Sequence, residues 1–69
     1  MDWENDGDSW RLRSGRRVYE IAKRAKHKYD VFRHAGSVTV DCGMCCSLDE
    51  AKELCEEDLE WRESLEKRF

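Results

Sequence analysis

Residues 14–30, "SGRRVYEIAKRAKHKYD", decide the fold, because they admit two readings that place every surface differently. As a helix through 16–29, Val18, Tyr19, Ile21, Ala22 and Ala25 would form a passable apolar stripe. As strands, the same residues alternate with a period of two and sit between turn signals. The Ser14-Gly15 pair favours the strands, since composition is a weak prior for helix while glycine beside serine marks a turn.

The strand reading extends in both directions. "SWRLRSGRRVYEI" (9–21) forms a hairpin with Ser14-Gly15 as its turn, placing Trp10 opposite Tyr19 and Leu12 opposite Arg17. "YDVFRHAGSVTVDC" (29–42) forms a second with Ala35-Gly36 at its tip, pairing Val31 with Val40 and Phe32 with Thr39. "KRAKHK" (23–28) is then a polar connection. Trp10, Leu12, Tyr19 and Ile21 share a side with Tyr29, Val31, Val38, Val40 and Cys42, so the hairpins agree on one continuous apolar face.

That face needs a cover, and the last third of the chain supplies it. Ser47 followed by Glu50 is a capping box, Asp49 and Glu50 suit the positive end of a helix, and Leu48, Ala51, Leu54, Cys55 and Leu59 recur at helical spacing. A helix is predicted from about Leu48 to beyond Glu66. The expected fold is a single α+β domain: an acidic N-terminal tail (1–8), a four-stranded antiparallel β-meander (9–46) and one C-terminal α-helix (47–69) packed on it.

At 69 residues the chain buries little surface, so its core leaves few kcal/mol to spare. It has no proline and 42% charged residues, mixed among apolar ones rather than in tracts. Neither a signal peptide's basic start and apolar run nor a membrane span is present, and the expectation is an intracellular, cytoplasmic protein. In a reducing compartment the even cysteine count does not by itself imply disulfides. Net charge is −3, but residues 1–10 carry −4, residues 11–34 carry +7 and residues 35–69 carry −6. The molecule has a basic middle and an acidic tail.

All four cysteines lie in "VDCGMCCSLDEAKELC" (40–55). Cys42 and Cys45 form half of a zinc pattern without a second close pair; His27 is the histidine that a longer second hairpin would bring toward Cys42, Cys45 and Cys46. The simpler reading makes Cys42 and Cys55 small core residues in a thiol-rich crossing from strand to helix. Cys45 and Cys46, next to a helix N-terminus, would then be the thiols whose pKa the dipole lowers. A cysteine with one histidine and no third member is too thin a constellation for catalysis, so no enzyme is expected, and no cofactor beyond the zinc alternative.

Two surfaces remain as candidates. The open sheet face carries Arg11, Arg13, Arg16, Lys26, Lys28 and Phe32, a set suited to phosphates and stacked bases, interrupted by Glu20, Asp30 and Asp41. The second is the helix tail. About 20 helical residues span roughly 30 Å and a six-residue strand about 20 Å, so Trp61, Leu65 and Phe69 are expected to overhang the sheet. Trp3 folding back, a second copy or a foreign protein would cover them.

"SGRRVYEI", "KYDVFRHAGSVTVDCG" and "SLDEAKEL" together resemble small uncharacterised proteins encoded by bacteriophages and prophages, in which a short meander precedes one helix. The resemblance implies this fold and a bacterial host cytoplasm, without an activity. The fold is also similar to the DNA-binding domains of plant GCC-box factors and some integrase arm-binding domains, which read DNA from the exposed sheet. Arg11 and Arg13 would take that role here, whereas Trp10 lies on the core side. The function expected from the sequence is a non-enzymatic accessory protein binding a protein partner, or a second copy of itself, through the C-terminal helix. Nucleic-acid binding is the alternative and a zinc- or thiol-regulated module the third option.

Overall fold

The computed structural model describes residues 3–67. Five strands precede one helix: β1 (Trp3–Asp6), β2 (Ser9–Ser14), β3 (Arg17–Ala25), β4 (Lys28–Ala35), β5 (Val38–Cys45) and α1 (Leu48–Lys67). The sheet is antiparallel in the order β1-β2-β3-β4-β5, so every strand pairs with its chain neighbours. The segment 16–29 is not helical: it holds β3, the Lys26-His27 turn and the start of β4. The fold is α+β as expected, with one strand more than the sequence reading allowed: Trp3–Asp6, taken there as part of an acidic tail, pairs with Ser9–Leu12. Phe69 lies outside the described residues.

Both hairpin registers differ from expectation by two residues. Ser14 pairs with Arg17, Leu12 with Tyr19 and Trp10 with Ile21, while Ala35 pairs with Val38, His34 with Thr39 and Phe32 with Asp41. The two-residue turns are Gly15-Arg16 and Gly36-Ser37, with φ of +60° and +62° at the glycines and, among the described residues, positive φ at no other residue type. That pattern is a type II′ turn, which needs glycine at its first central position, so the turn begins at the glycine and not before it. A slip of two keeps each side chain on its face. The expected apolar face is therefore the observed one.

Leu12, Tyr19, Ile21 and Val31 from the sheet and Ala51, Cys55 and Leu59 from α1 form the buried core, each at most 3% exposed. Trp3, Trp10, Tyr29, Cys42, Cys45 and Leu48 pack around it, half-buried. Each large apolar side chain fully buried in this way contributes about 1.5–3 kcal/mol. Trp10 and Tyr29 meet at 6.1 Å between ring centroids with planes tilted by 57°, a geometry that suits the ring quadrupoles. The helix starts with half of the predicted capping box: Ser47 Oγ accepts from the Glu50 N–H at 3.2 Å, while Glu50 reaches one residue further back than the box requires, accepting from the Cys46 N–H at 3.4 Å.

The strands are longer than expected, which removes the overhang. β3 has nine residues, a span of about 30 Å, the same as a 20-residue helix. The last turns of α1 accordingly lie above the β2–β3 turn. There Ser14 Oγ donates to Glu63 at 3.0 Å and the Arg17 guanidinium pairs with Glu66.

Candidate functional site

The helix stripe Ala51, Cys55, Leu59 rests on the middle of the sheet, so its two flanks face opposite sheet edges. Toward β1 the flank is fastened. Trp3 Nε1 donates to Glu56 at 3.2 Å, the Lys52 ammonium lies 5.9 Å from the centre of the Trp3 ring, and Ser14 holds Glu63. Toward β5 it stands open. Leu54 and Trp61, two turns apart, are 36% and 59% exposed, and Val38 on the same side of β5 is 58% exposed. Val38, expected in the core, is uncovered because it is the first residue of the edge strand β5, next to the β4–β5 turn, whereas Cys42 and Cys45 further along the strand pack against the core.

Between this flank and β5 lies a cleft of about 260 Å³, walled by Val40 and Cys42 on the strand, Leu54 on the helix, and the charged group Arg33, Asp58 and Arg62. Asp58 is the hub. Its Oδ2 accepts from the Tyr19 hydroxyl at 2.5 Å, from Arg62 Nε at 2.9 Å and from Arg33 Nη1 at 3.4 Å. Burial alone would push the carboxyl up, but these donors outweigh it and hold its pKa below the ordinary carboxylate value. The Tyr19 phenol is driven the other way, raised first by its own burial and then by the bond to Asp58. Arg62 also lies against the exposed Trp61, its guanidinium carbon 5.7 Å from the ring centre, which restrains that indole.

The sequence pattern did not single out this hub. Arg33 is in phase with Val31 on β4 and therefore had to face the helix. Asp58 follows Cys55 by three positions and Arg62 follows Asp58 by four, the spacings that bring helical side chains together. Those phases were the available signal.

The three sets of expected site residues fare differently. Of Trp61, Leu65 and Phe69, Trp61 is exposed and Leu65 half-buried. Arg11, Arg13, Arg16, Lys26 and Lys28 are all exposed and Phe32 half-buried, but they do not converge. Arg16 sits in the β2–β3 turn and Lys26 in the β3–β4 turn, opposite ends of a strand about 30 Å long. On the sheet face between them, Arg11 meets Glu20 at 3.5 Å, Glu20 also bonds His34 at 3.1 Å, and Arg24 meets Asp30 at 2.8 Å. Phe32 lies in register between Glu20 and Asp41. Arg13, Arg16, Lys26 and Lys28 form no ion pair among the described residues, but they are spread out and the paired acids interrupt the positive field between them.

His27, Cys42, Cys45 and Cys46 are not assembled as ligands, and no three His, Cys, Asp or Glu side chains among the described residues are grouped to hold a metal ion. His27 occupies the β3–β4 turn, whereas a bulge sets Cys42 level with Val31 and Phe32, about 13–17 Å along β4. The four cysteines are free thiols. Cys55 is pushed up to about 12 by burial, and burial likewise raises Cys42 and Cys45. For Cys45 this reverses the expected influence of the helix dipole, because its side chain tucks against the core instead of lying at the helix end. No helix among the described residues is long and apolar enough to cross a membrane. Compared with family models, curated proteins and solved structures, the chain matches none.

Proposed function

We propose that this chain is a non-enzymatic interaction module that binds a protein partner through the open flank of α1, with Trp61 as its anchor. The observation that carries the reading is the contrast between the flanks: one is latched by Trp3, while the other leaves a tryptophan 59% exposed against Arg62, which lines the cleft together with Leu54, Val40 and Cys42. Tryptophan and arginine are both among the residues enriched at the energetic centre of protein interfaces. The two thiols lining the cleft, Cys42 and Cys55, both have their pKa raised by burial, which supports binding there over covalent chemistry.

The test is selection of peptide ligands from a random display library on the whole chain, followed by affinity measurement on variants. Trp61→Ala is expected to weaken the recovered ligands by about thirtyfold, the loss of a hot-spot side chain worth about 2 kcal/mol. The double variant Arg11→Ala, Arg13→Ala is expected to leave them unchanged. Ligands indifferent to Trp61, together with heparin retention that disappears in the double variant, would transfer the function to the sheet face.

A further inference from the structure

One guanidinium under the helix is incompletely paired. Arg33 reaches from β4 to α1, and its side chain keeps only 15% of its surface. It nevertheless makes one long contact, 3.4 Å to Asp58, and no other hydrogen bond among the described residues. Covering a charge without full pairing is costly, and bonds between a guanidinium and an anion are the strong ones. No buried side-chain donor among the described residues lacks a partner, so the remaining Arg33 N–H groups reach accessible space, and Arg33 lines the cleft. Arg62, in the same wall, likewise uses one donor, Nε, on Asp58.

The cleft has a charged end and an apolar one. Arg33 is in register with Val40. α1 runs back antiparallel to β5, its last turns above Ser14 and Arg17, so Arg62 stands toward Val40 and Leu54 toward Cys42, about 12 Å apart along the helix axis. The charged residues in the wall are Arg33, Asp58 and Arg62, two cations against one anion, which leaves one positive charge unanswered. At about 260 Å³ the cleft is smaller than the pockets that take drug-sized ligands. A phosphate would bring a second negative charge beside Asp58, whereas a carboxylate brings one and matches the planar fork of a guanidinium. We propose that this cleft binds a small monocarboxylic acid, its carboxylate laid across Arg33 and Arg62 and its apolar body along Val40, Cys42 and Leu54. Trp61 is not part of that wall, so the site stands apart from the partner surface argued above.

The probe is hexanoate, titrated against the whole chain at fixed ionic strength and followed by NMR shifts of the Val40 and Leu54 methyl groups. Saturation is expected with a Kd of about 1 mM, the strength open to so small a ligand. Acetate, which lacks the body, and hexanol and hexylamine, which lack the anion, are expected to bind at least about tenfold more weakly. Arg33→Gln and Arg62→Gln should each weaken hexanoate about tenfold. Asp58→Asn, whose amide oxygen can still accept from Tyr19, should tighten it about threefold or more and leave hexanol unchanged, because a like charge beside the carboxylate is gone. A gain of that kind cannot come from a variant that fails to fold. No saturable binding within the solubility of hexanoate, equal binding of acetate or hexylamine, or an affinity that neither arginine variant moves would overturn the proposal. Trp61→Ala is expected to leave the affinity unchanged; loss of binding there with Arg33→Gln unaffected would move the acid to the outer flank and overturn the cleft as its site.

Discussion

Replacing Asp58 by alanine removes the one acceptor shared by Tyr19, Arg62 and Arg33, and the structure sets the size of the effect. The bond from Tyr19 is the shortest at 2.5 Å, and its donor belongs to a residue that is 0% exposed, so that hydroxyl would lose its partner without ready access to water. Leaving a buried donor unmade costs about 1–3 kcal/mol. Arg62 at 2.9 Å and Arg33 at 3.4 Å add less, because the Asp58 side chain keeps 28% of its surface and the longer contact is weak. Together the expected loss is about 2–3 kcal/mol, or about 10–20 °C in Tm for a domain of this size. Urea unfolding followed by circular dichroism measures it directly, and a double-mutant cycle of Asp58→Ala with Tyr19→Phe should return a coupling near 1 kcal/mol. The acid limb offers a second readout. A carboxyl held below its unfolded value stabilises the fold at pH above about 4 and ceases to do so as pH falls through its folded value. The gap between wild type and Asp58→Asn should therefore narrow below about pH 4. An Asp58→Ala variant within about 0.5 kcal/mol of wild type, or strictly additive with Tyr19→Phe, would refute the hub.

Two further outcomes follow from the thiols and the turns. Under native conditions iodoacetamide should modify the exposed Cys46 first and Cys55 last, since Cys55 is 1% exposed and its pKa is pushed up to about 12; mass mapping that finds Cys55 labelled early would contradict its place in the core. Gly36→Ala meets no atom within 4 Å of the new Cβ, so its cost should be the backbone penalty alone, about 1–2 kcal/mol by denaturant titration, with Gly36→Asn less damaging.

Much of the architecture was legible before any coordinates. The capping box at Ser47, the period of two through Tyr19, Ile21 and Val31, and the helical spacing of Ala51, Cys55 and Leu59 each describe a local preference that the tertiary packing confirms, and concordant signals of that kind are what a single native state requires. β1 escaped because a run of acids reads as solvated chain, although Gly7-Asp8 is the same glycine-first turn as Gly15-Arg16 and Trp3 and Trp10 lie on the face that α1 shares. The register slipped for the same reason at both hairpins: the turn was centred on the residue before glycine. Asp58 was hidden by its acidic neighbours, since no pattern along a helix distinguishes a carboxylate over a buried tyrosine from one in water. The expected overhang rested on strands of average length, and β3 and β4, with nine and eight residues, exceed it.

The order of the strands also shapes how the molecule is made. Each strand finds its partner across two residues of turn, so the meander can assemble within microseconds of leaving a ribosome. Its cover comes last: the ties from Trp3 to Glu56 and from Ser14 to Glu63 close loops of 53 and 49 residues. Until α1 has emerged, a finished sheet carries a bare greasy underside, and the newborn chain is most prone to stick to its neighbours in that interval.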